Sequence, residues 1–460
     1  MLFAVYKLLP LMDAYLPSIA LIGGVTFLFS NLISLKQDNV KRLLGYSSIG
    51  QMGLLTLALA LLQQLEATSV QLALVLGGLF VNHLLAKAGL FWLAGLVNRP
   101  ALHDWSAIAK RPDLLLLLGT LIAALVGLPP FPGFWAKWQL LMLLGAGEQY
   151  SWIALILVGS LLEAAYLFRW FSHARQREIT QTDTSQTDAT QTVITAGFWQ
   201  SAPVMAAAVL LFVLGYGIAT TLSASSTALF LPLLAGLLLW LIDGLHGRLK
   251  NLLMLVLVAA GGYWLTKDLD GINRLFSYLL IGGGLLISIA ALYRNDDRKG
   301  FYPLLAVLLL SLATLLRAHT SLEFFFSWEL MTLSSWLLLT LGRQGVMPGL
   351  KYLLFSLGSA YFILAGFAVA FAATGSTLLS DLGSSGSATG IVFSLLAVGF
   401  IIKTGGFGVH VWLPDAYAEA DDDFTAIMSA VVSTAGIFGL LIIAAHLGVR
   451  ADLGLDPAYV

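Results

Sequence analysis

The stretch "SLEFFFSWELMTLSSWLLLTLGR", Ser321–Arg343, is long and apolar enough to cross a bilayer, yet it holds a carboxylic acid, Glu329, near its middle. A spanning helix needs about 20 mainly apolar residues. A charge at mid-membrane costs at least about 2.5–3.5 kcal/mol on insertion scales, and such groups face protein or water rather than lipid. Glu329 therefore reads either as a protonated carboxyl bonded inside a helix bundle or as one member of a polar path through it.

The rest of the chain belongs to the same solvent. Of 460 residues, 58% are apolar and only 11% charged, with a mean hydropathy of +0.88, which defines an all-α, polytopic membrane protein. A net charge of -1 offers no basic surface for nucleic acid. Without cysteine the chain forms no disulfide, thiolate zinc site or cysteine-ligated iron-sulfur cluster, so redox chemistry falls to a partner; no cofactor and no metal are expected. The sequence contains no Gly-rich phosphate loop, nucleophile elbow or metalloprotease motif, which leaves hydrolysis without a basis. The N-terminal "MLFAVYKLLPLMDAYLPS" (Met1–Ser18) has no small-residue cleavage site and reads as no removable signal.

About fourteen apolar segments are predicted to span. They centre on residues 17–35, 43–63, 70–97, 114–145, 151–172, 198–222, 227–242, 251–265, 275–293, 301–318, 322–342, 352–374, 389–413 and 424–447. If the connections alternate sides, one side takes sixteen of the 24 basic residues, from Lys36 through Lys351, and the other takes five: Lys7, Lys267, Arg274, Arg317 and Arg450. The positive-inside rule makes the first side cytoplasmic and puts both termini outside. The polar segment "HARQREITQTDTSQTDATQTV", His173–Val193, reads as a flexible cytoplasmic loop.

The three remaining basic residues, Lys87, Lys137 and Lys403, fall inside spans and join Glu329 as buried charges. His83 and Lys87 in "VNHLLAKAGLF" are four apart, on one helix face, where an imidazole and an amine can exchange a proton. The alternative is a histidine bonded to a carbonyl with its lysine snorkelling outward. Two spans carry helix breakers at membrane depth. They are "VGLPPFPGFWAKW", with Gly127, Pro129, Pro130, Pro132 and Gly133 before Lys137, and "IIKTGGFGVHVWLP", with Gly405, Gly406 and Gly408 after Lys403. Freed backbone is tolerated there where it lines a polar cavity, and transporters build ion sites beside such breaks. "KRLLGYSSIGQMG" and "KYLLFSLGSAYF" each open a span upstream of a broken one, a faint internal repeat. The acidic connection "LPDAYAEADDDF", Leu413–Phe424, lacks calcium-ligand spacing and is expected to cap the next helix and complement its dipole, with a proton-collecting mouth as the functional option.

Five motifs resemble the antiporter-like membrane subunits of respiratory complex I, whose family includes membrane-bound hydrogenases and multi-subunit sodium/proton antiporters. They are "FFFSWELMTLSSW", "GFGVHVWLPDAYAEA" with "SAVVSTAGIFG", "DNVKRLLGYSSIGQMG", "HLLAKAGLF" and "GLPPFPGFWAKWQLL". The resemblance implies an inverted-repeat fold in which a buried glutamate pairs with a lysine on a broken helix, and further lysines and histidines form a hydrated axis. By motif it assigns the ion pathway to Glu329, Lys403, His83, Lys87 and Lys137.

Two departures stand out. The position where the family carries a lysine or histidine is Thr434 here, so a hydroxyl with water stands in for a titratable link. The motif order is also inverted: residues 1–222 resemble the family's later six helices and residues 223–460 its first eight. A fusion of two partial modules is expected in preference to a circular permutant, because Met1 falls inside one family helix and Val460 stops short of another; each axis would then need helices from elsewhere. The function implied is proton translocation, without catalysis of its own, in a complex I-like or hydrogenase-like assembly of the bacterial inner membrane. Its partners would be other membrane subunits, H+ and the lipid bilayer. A sodium/proton antiporter subunit and a non-conducting scaffold are the alternatives.

Overall fold

The computed structural model describes residues 13–176, 198–223, 226–293, 298–342 and 346–447. Most of the expected polar loop, both termini, and Lys7, Arg177, Arg294, Arg343 and Arg450 lie outside the described residues. The described residues are helical throughout, with only two isolated bridges, Asn39 to Ala101 and Thr320 to Leu378, in place of strands.

The helices are α1 Leu16–Ser34, α2 Val40–Gln64, α3 (Ser69–Val97), α4 Pro112–Val126, α5 Pro132–Ala146, α6 Tyr150–Arg175, α7 Phe198–Leu222 and α8 Ser226–Leu241. They continue with α9 Gly247–Thr266, α10 (Gly271–Ala290), α11 Phe301–Arg317, α12 Ser321–Leu339, α13 Val346–Thr374, α14 Thr389–Thr404, α15 Leu413–Glu419 and α16 (Asp422–His446). Ten are long and apolar enough to cross a membrane. Adding α12, the shorter α8 and α11, and the broken pair α4–α5 gives fourteen segments, as the sequence predicts.

The contacts divide the chain into two compact units, Met1–Thr221 and Leu222–Val460. In the first, α1 packs lengthwise on α2 and against α6, while α3 packs on α4 and α5. Gly23 and Gly53 make the α1–α2 contact possible: a Cβ on Gly53 would lie 2.6 Å from the Phe27 backbone nitrogen, and one on Gly23 2.6 Å from that of Leu57. Helices in lipid lack a hydrophobic drive toward each other and associate through such close backbone approach. In the second unit, α11 is flanked by α8, α9 and α12, and α14 lies between α13 and α16.

Helix ends follow local chemistry. Before α12, "TSLE" forms a cap: the Thr320 hydroxyl accepts from Glu323 N at 3.2 Å, and the Glu323 carboxylate accepts from His319 N at 2.9 Å. Glu323 is thereby explained, and Glu329 is not. The acidic connection departs from expectation. Asp421 is the N-cap of α16 but makes no side-chain cap bond. Its carboxylate and that of Asp423, at 2.7 Å, are held by the Arg298 guanidinium, and Asp415 pairs with Lys351. A charge-assisted pair outcompetes a neutral backbone donor. Asp422 and Asp423 still lie in the first turn, where they complement the helix dipole. A further pair, Lys250 with Asp243 at 3.1 Å, ties the α8–α9 turn to the start of α11 through Gly300 N.

Three helices contain a π-helical stretch: Ala73–Gly77 in α3, Tyr278–Gly282 in α10 and Met428–Val432 in α16. Such widened turns cluster at functional sites.

Gly53→Val is expected to lower the stability of the detergent-solubilised protein by about 1–3 kcal/mol through overpacking, whereas Gly45→Ala, which meets nothing within 4 Å, leaves it unchanged. Thermal unfolding curves of the two variants test the contact.

Candidate functional site

Each break is built on a left-handed glycine. α4 ends at Gly127 (φ 84) and α14 at Gly405 (φ 75), and Leu128 N and Gly406 N fold back onto Ala123 O (2.9 Å) and Ile401 O (3.0 Å). A residue with a Cβ adopts this conformation only under strain. Pro129 and Pro130 lie in the first break and Pro132 opens α5, whereas Gly133 lies within α5, where a Cβ would meet the Asn82 amide at 2.7 Å. Gly406 and Gly408 (φ 91) lie in the second break, which runs to Leu413.

In the first unit, Lys137 of α5 reaches back across the break. Its Nζ donates to Val126 O at 2.7 Å, one of the carbonyls left free where α4 stops, and to Ser160 Oγ at 3.3 Å. It also lies 3.5 Å from Glu163 Oε2 on α6. Lys87 does not snorkel; its buried amine donates to Leu44 O of α2 at 2.8 Å. One turn before it on α3, His83 is buried with Nδ1 lacking a hydrogen-bond partner. Around these groups stand the Tyr166 hydroxyl, donating to Asn31 Oδ1 at 3.0 Å, and the buried Ser47 and Gln51. Glu163 interacts electrostatically with both Lys137 and Lys87.

In the second unit the arrangement differs. Lys403, wholly buried in the last turn of α14, precedes its break instead of following it. The Ile402 carbonyl accepts from Gly405 N at 3.2 Å and from the Trp412 indole at 3.0 Å, and the lysine turns to α13. There it donates to Tyr352 Oη at 3.0 Å and Ser356 Oγ at 3.2 Å, and lies 4.9 Å from the Tyr352 ring centroid. The Tyr352 hydroxyl shares a 2.6 Å hydrogen bond with Ser335 Oγ of α12, the helix that carries Glu329. Glu329 is 2% exposed, its Oε2 without a partner, and it feels the charge of Lys403. Hydroxyls rather than the carboxylate therefore hold this amine, where the resemblance implies a direct pair. Phe324, Trp328 and Phe400 pack α12 onto α14 beside the site.

Thr434 follows the π-helical stretch of α16 and spends its hydroxyl proton on Ala430 O, 2.9 Å away in the same helix. The structure thus gathers His83, Lys87 and Lys137 in one unit and Glu329 and Lys403 in the other, while Thr434 bonds to neither set. Sequence reasoning does not single out Glu163, although the signal is the one that marks Glu329, a lone acid in an apolar run, "ILVGSLLEAAYLF" (Ile156–Phe168). Tyr352, Ser335 and Ser356 carry no such signal. Among the described residues no group of three or more metal-ligating side chains converges.

Fourteen helical segments among the described residues, two of them broken beside buried amines, define a multi-pass membrane protein. The chain belongs to the NADH:quinone oxidoreductase/Mrp antiporter transmembrane family, whose pattern it matches over residues 1–163 and 318–451. It is similar to NADH-quinone oxidoreductase subunit N of Desulforudis audaxviator, 33% identical over 177 residues, covering 36% of this chain and 33% of that protein. The subunit N of Rubrobacter xylanophilus is 33% identical over 153 residues (32% and 31%), and that of Chromohalobacter salexigens 31% over 169 residues (35% and 34%). The chain spans about a third of the length of these curated relatives. A solved structure of the membrane-bound sulfane sulfur reductase, an archaeal respiratory membrane complex, contains a chain with 17% identity and a TM-score of 0.42, over 50% of this chain and 56% of that one.

Tyr352→Phe keeps the aromatic ring but removes the hydroxyl that links Lys403 to Ser335. It is expected to cost about 1 kcal/mol, whereas Tyr352→Ala, which also empties the space under Trp412, is expected to cost about 3–5 kcal/mol. Thermal unfolding of the purified variants measures both.

Proposed function

We propose that this chain translocates protons as a non-redox membrane subunit of a larger respiratory assembly, with energy supplied by a redox partner. The observation that carries the reading is the pairing of each helix break with a buried amine, with a buried acid in the same unit as each, within a chain of this family. Amines and acids in such surroundings change protonation together, because each charge state depends on whether its neighbour is charged. The named relatives, all subunits of NADH-quinone oxidoreductases, support partners of that kind. The absence of cysteine leaves electron carriers to those partners. The family's name also covers Mrp antiporters, which keeps sodium/proton exchange as the second reading.

In this proposal residues 1–222 correspond to the later half of an antiporter-like subunit and residues 223–460 to the earlier half. The pathway runs through Glu329 and Lys403 in one and His83, Lys87 and Lys137 in the other. The Tyr352 and Ser335 hydroxyls connect Lys403 toward the helix of Glu329. The lysine- and arginine-rich connections face the cytoplasm of a bacterial cell, and both termini face outward.

Lys403→Ala and Glu329→Gln are each expected to lower proton pumping by at least about tenfold in inverted membrane vesicles carrying the whole complex, followed with a pH-sensitive dye. Pumping at the wild-type rate in both, with normal assembly, would leave only a scaffold role. Dependence of the signal on a sodium gradient would instead favour exchange. Because the chain has no cysteine, single variants read out its orientation. Lys110→Cys should react with an impermeant maleimide from the cytoplasmic side alone and Arg274→Cys from the outer side alone; the reverse pattern inverts the topology.

A further inference from the structure

We propose that Glu163 is a counterion exchanged between Lys137 and Lys87, giving the first unit an acid–amine switch of its own. The inference rests on the ion-translocation reading above and deepens it by naming the acid of that unit.

Glu163 is 1% exposed and sits mid-helix in α6, so neither solvent nor a helix terminus accounts for it. A buried carboxylate with a fixed structural partner makes short bonds, about 2.7–2.9 Å to an ammonium. Glu163 Oε2 instead lies 3.5 Å from Lys137 Nζ, while that amine's short bond, 2.7 Å, is to the Val126 carbonyl at the break. Lys87 is anchored the same way, 2.8 Å from the Leu44 carbonyl, and its charge also acts on Glu163. A backbone carbonyl thus takes the shortest bond of each amine, and the contact of the acid with Lys137 is the longest of the three that amine makes.

The charge count points the same way. One carboxylate neutralises one ammonium at a time, and a buried charge without a counterion is costly. Pairing with Lys137, as in this structure, leaves Lys87 without its acid; pairing with Lys87 does the reverse. The space around the acid is polar enough for the exchange. The Ser160 hydroxyl lies one turn before Glu163, the Tyr166 hydroxyl one turn after, and Asn31 receives the Tyr166 bond from α1. Rotation of one glutamate side chain then changes which amine is compensated, with no movement of the α4–α5 break.

The test uses vesicles from the host membrane with the whole complex in place, and pumping is normalised to the amount of this chain. Glu163→Gln is expected to lower pumping by at least about tenfold. Combining it with Lys87→Met or Lys137→Met is expected to lower it no further, because members of one switch are not independent. Infrared difference spectra against Glu163→Gln give a readout apart from transport. The Glu163 carboxylate band should persist in each single lysine variant and give way to a protonated carboxyl band only when both lysines are replaced. Loss of that band in Lys137→Met alone would tie the acid to Lys137 and overturn the exchange. So would multiplicative effects in the double variants. Wild-type pumping by Glu163→Gln, while Lys403→Ala and Glu329→Gln are inactive, would overturn this inference and leave the ion-translocation reading standing; wild-type pumping by all three would remove that reading itself. If Glu163→Gln does not accumulate, Glu163→Gln with Lys137→Gln removes the close pair together and serves as the infrared reference: persistence of the Glu163 carboxylate band in Lys137→Met supports the switch, and its loss there, or wild-type pumping by the double variant, overturns it.

Discussion

A backbone that stops being helical at membrane depth must bond its freed carbonyls within the protein, because lipid offers no donor. Both units meet that demand at a left-handed glycine, and they meet it differently. At Gly127 the donor is Lys137, so the amine belongs to the break and its position is fixed by backbone. At Gly405 the donors are the Gly405 N–H and the Trp412 indole, and Lys403 bonds the hydroxyls of α13 instead. One lysine follows its break and the other precedes it. The choice of donor decides what each lysine is free to do.

The buried acids follow from that choice. Where the lysine is anchored, an acid from the neighbouring α6 stands at ion-pair distance. Where the lysine is free, hydroxyls from α13 hold it, and the Tyr352 hydroxyl passes the connection to Ser335 on the helix of the acid. The aromatic cluster of Phe324, Trp328 and Phe400 packs α12 onto α14 next to these groups. Removing water from around a charge strengthens its interaction with whatever charge remains nearby.

Much of this was legible in the sequence, for physical reasons. A bilayer demands long apolar runs and punishes charges, so span count, breaks and buried lysines all leave strong marks on composition. Glycine beside proline at Gly127–Gly133 and the triplet of glycines after Lys403 mark the breaks because few other residues adopt those backbone angles. Glu163 carries the same mark as Glu329 but has no helix breaker or sequence-adjacent basic partner to draw notice. Tyr352, Ser335 and Ser356 are common residues in apolar helices, and only the fold turns them toward Lys403. The acidic connection misleads because Arg298, more than a hundred residues away, takes the carboxylates that local rules assign to capping. The π-helical stretches have no shared sequence signature: two run into paired glycines, and "MSAVV" does not.

Those widened turns set the rotational phase of the residues C-terminal to them. Each residue of an α-helix advances the face by about 100°, and a π-helical stretch absorbs an extra residue without advancing the helix beyond it by that amount. In α3 the stretch lies just ahead of His83 and Lys87, so the interior aim of both side chains depends on it. A one-residue shortening there would send the same two side chains around the cylinder toward a different neighbour, with every residue identity kept. The position of a single surplus residue is thus as much a part of this polar interior as the titratable groups themselves.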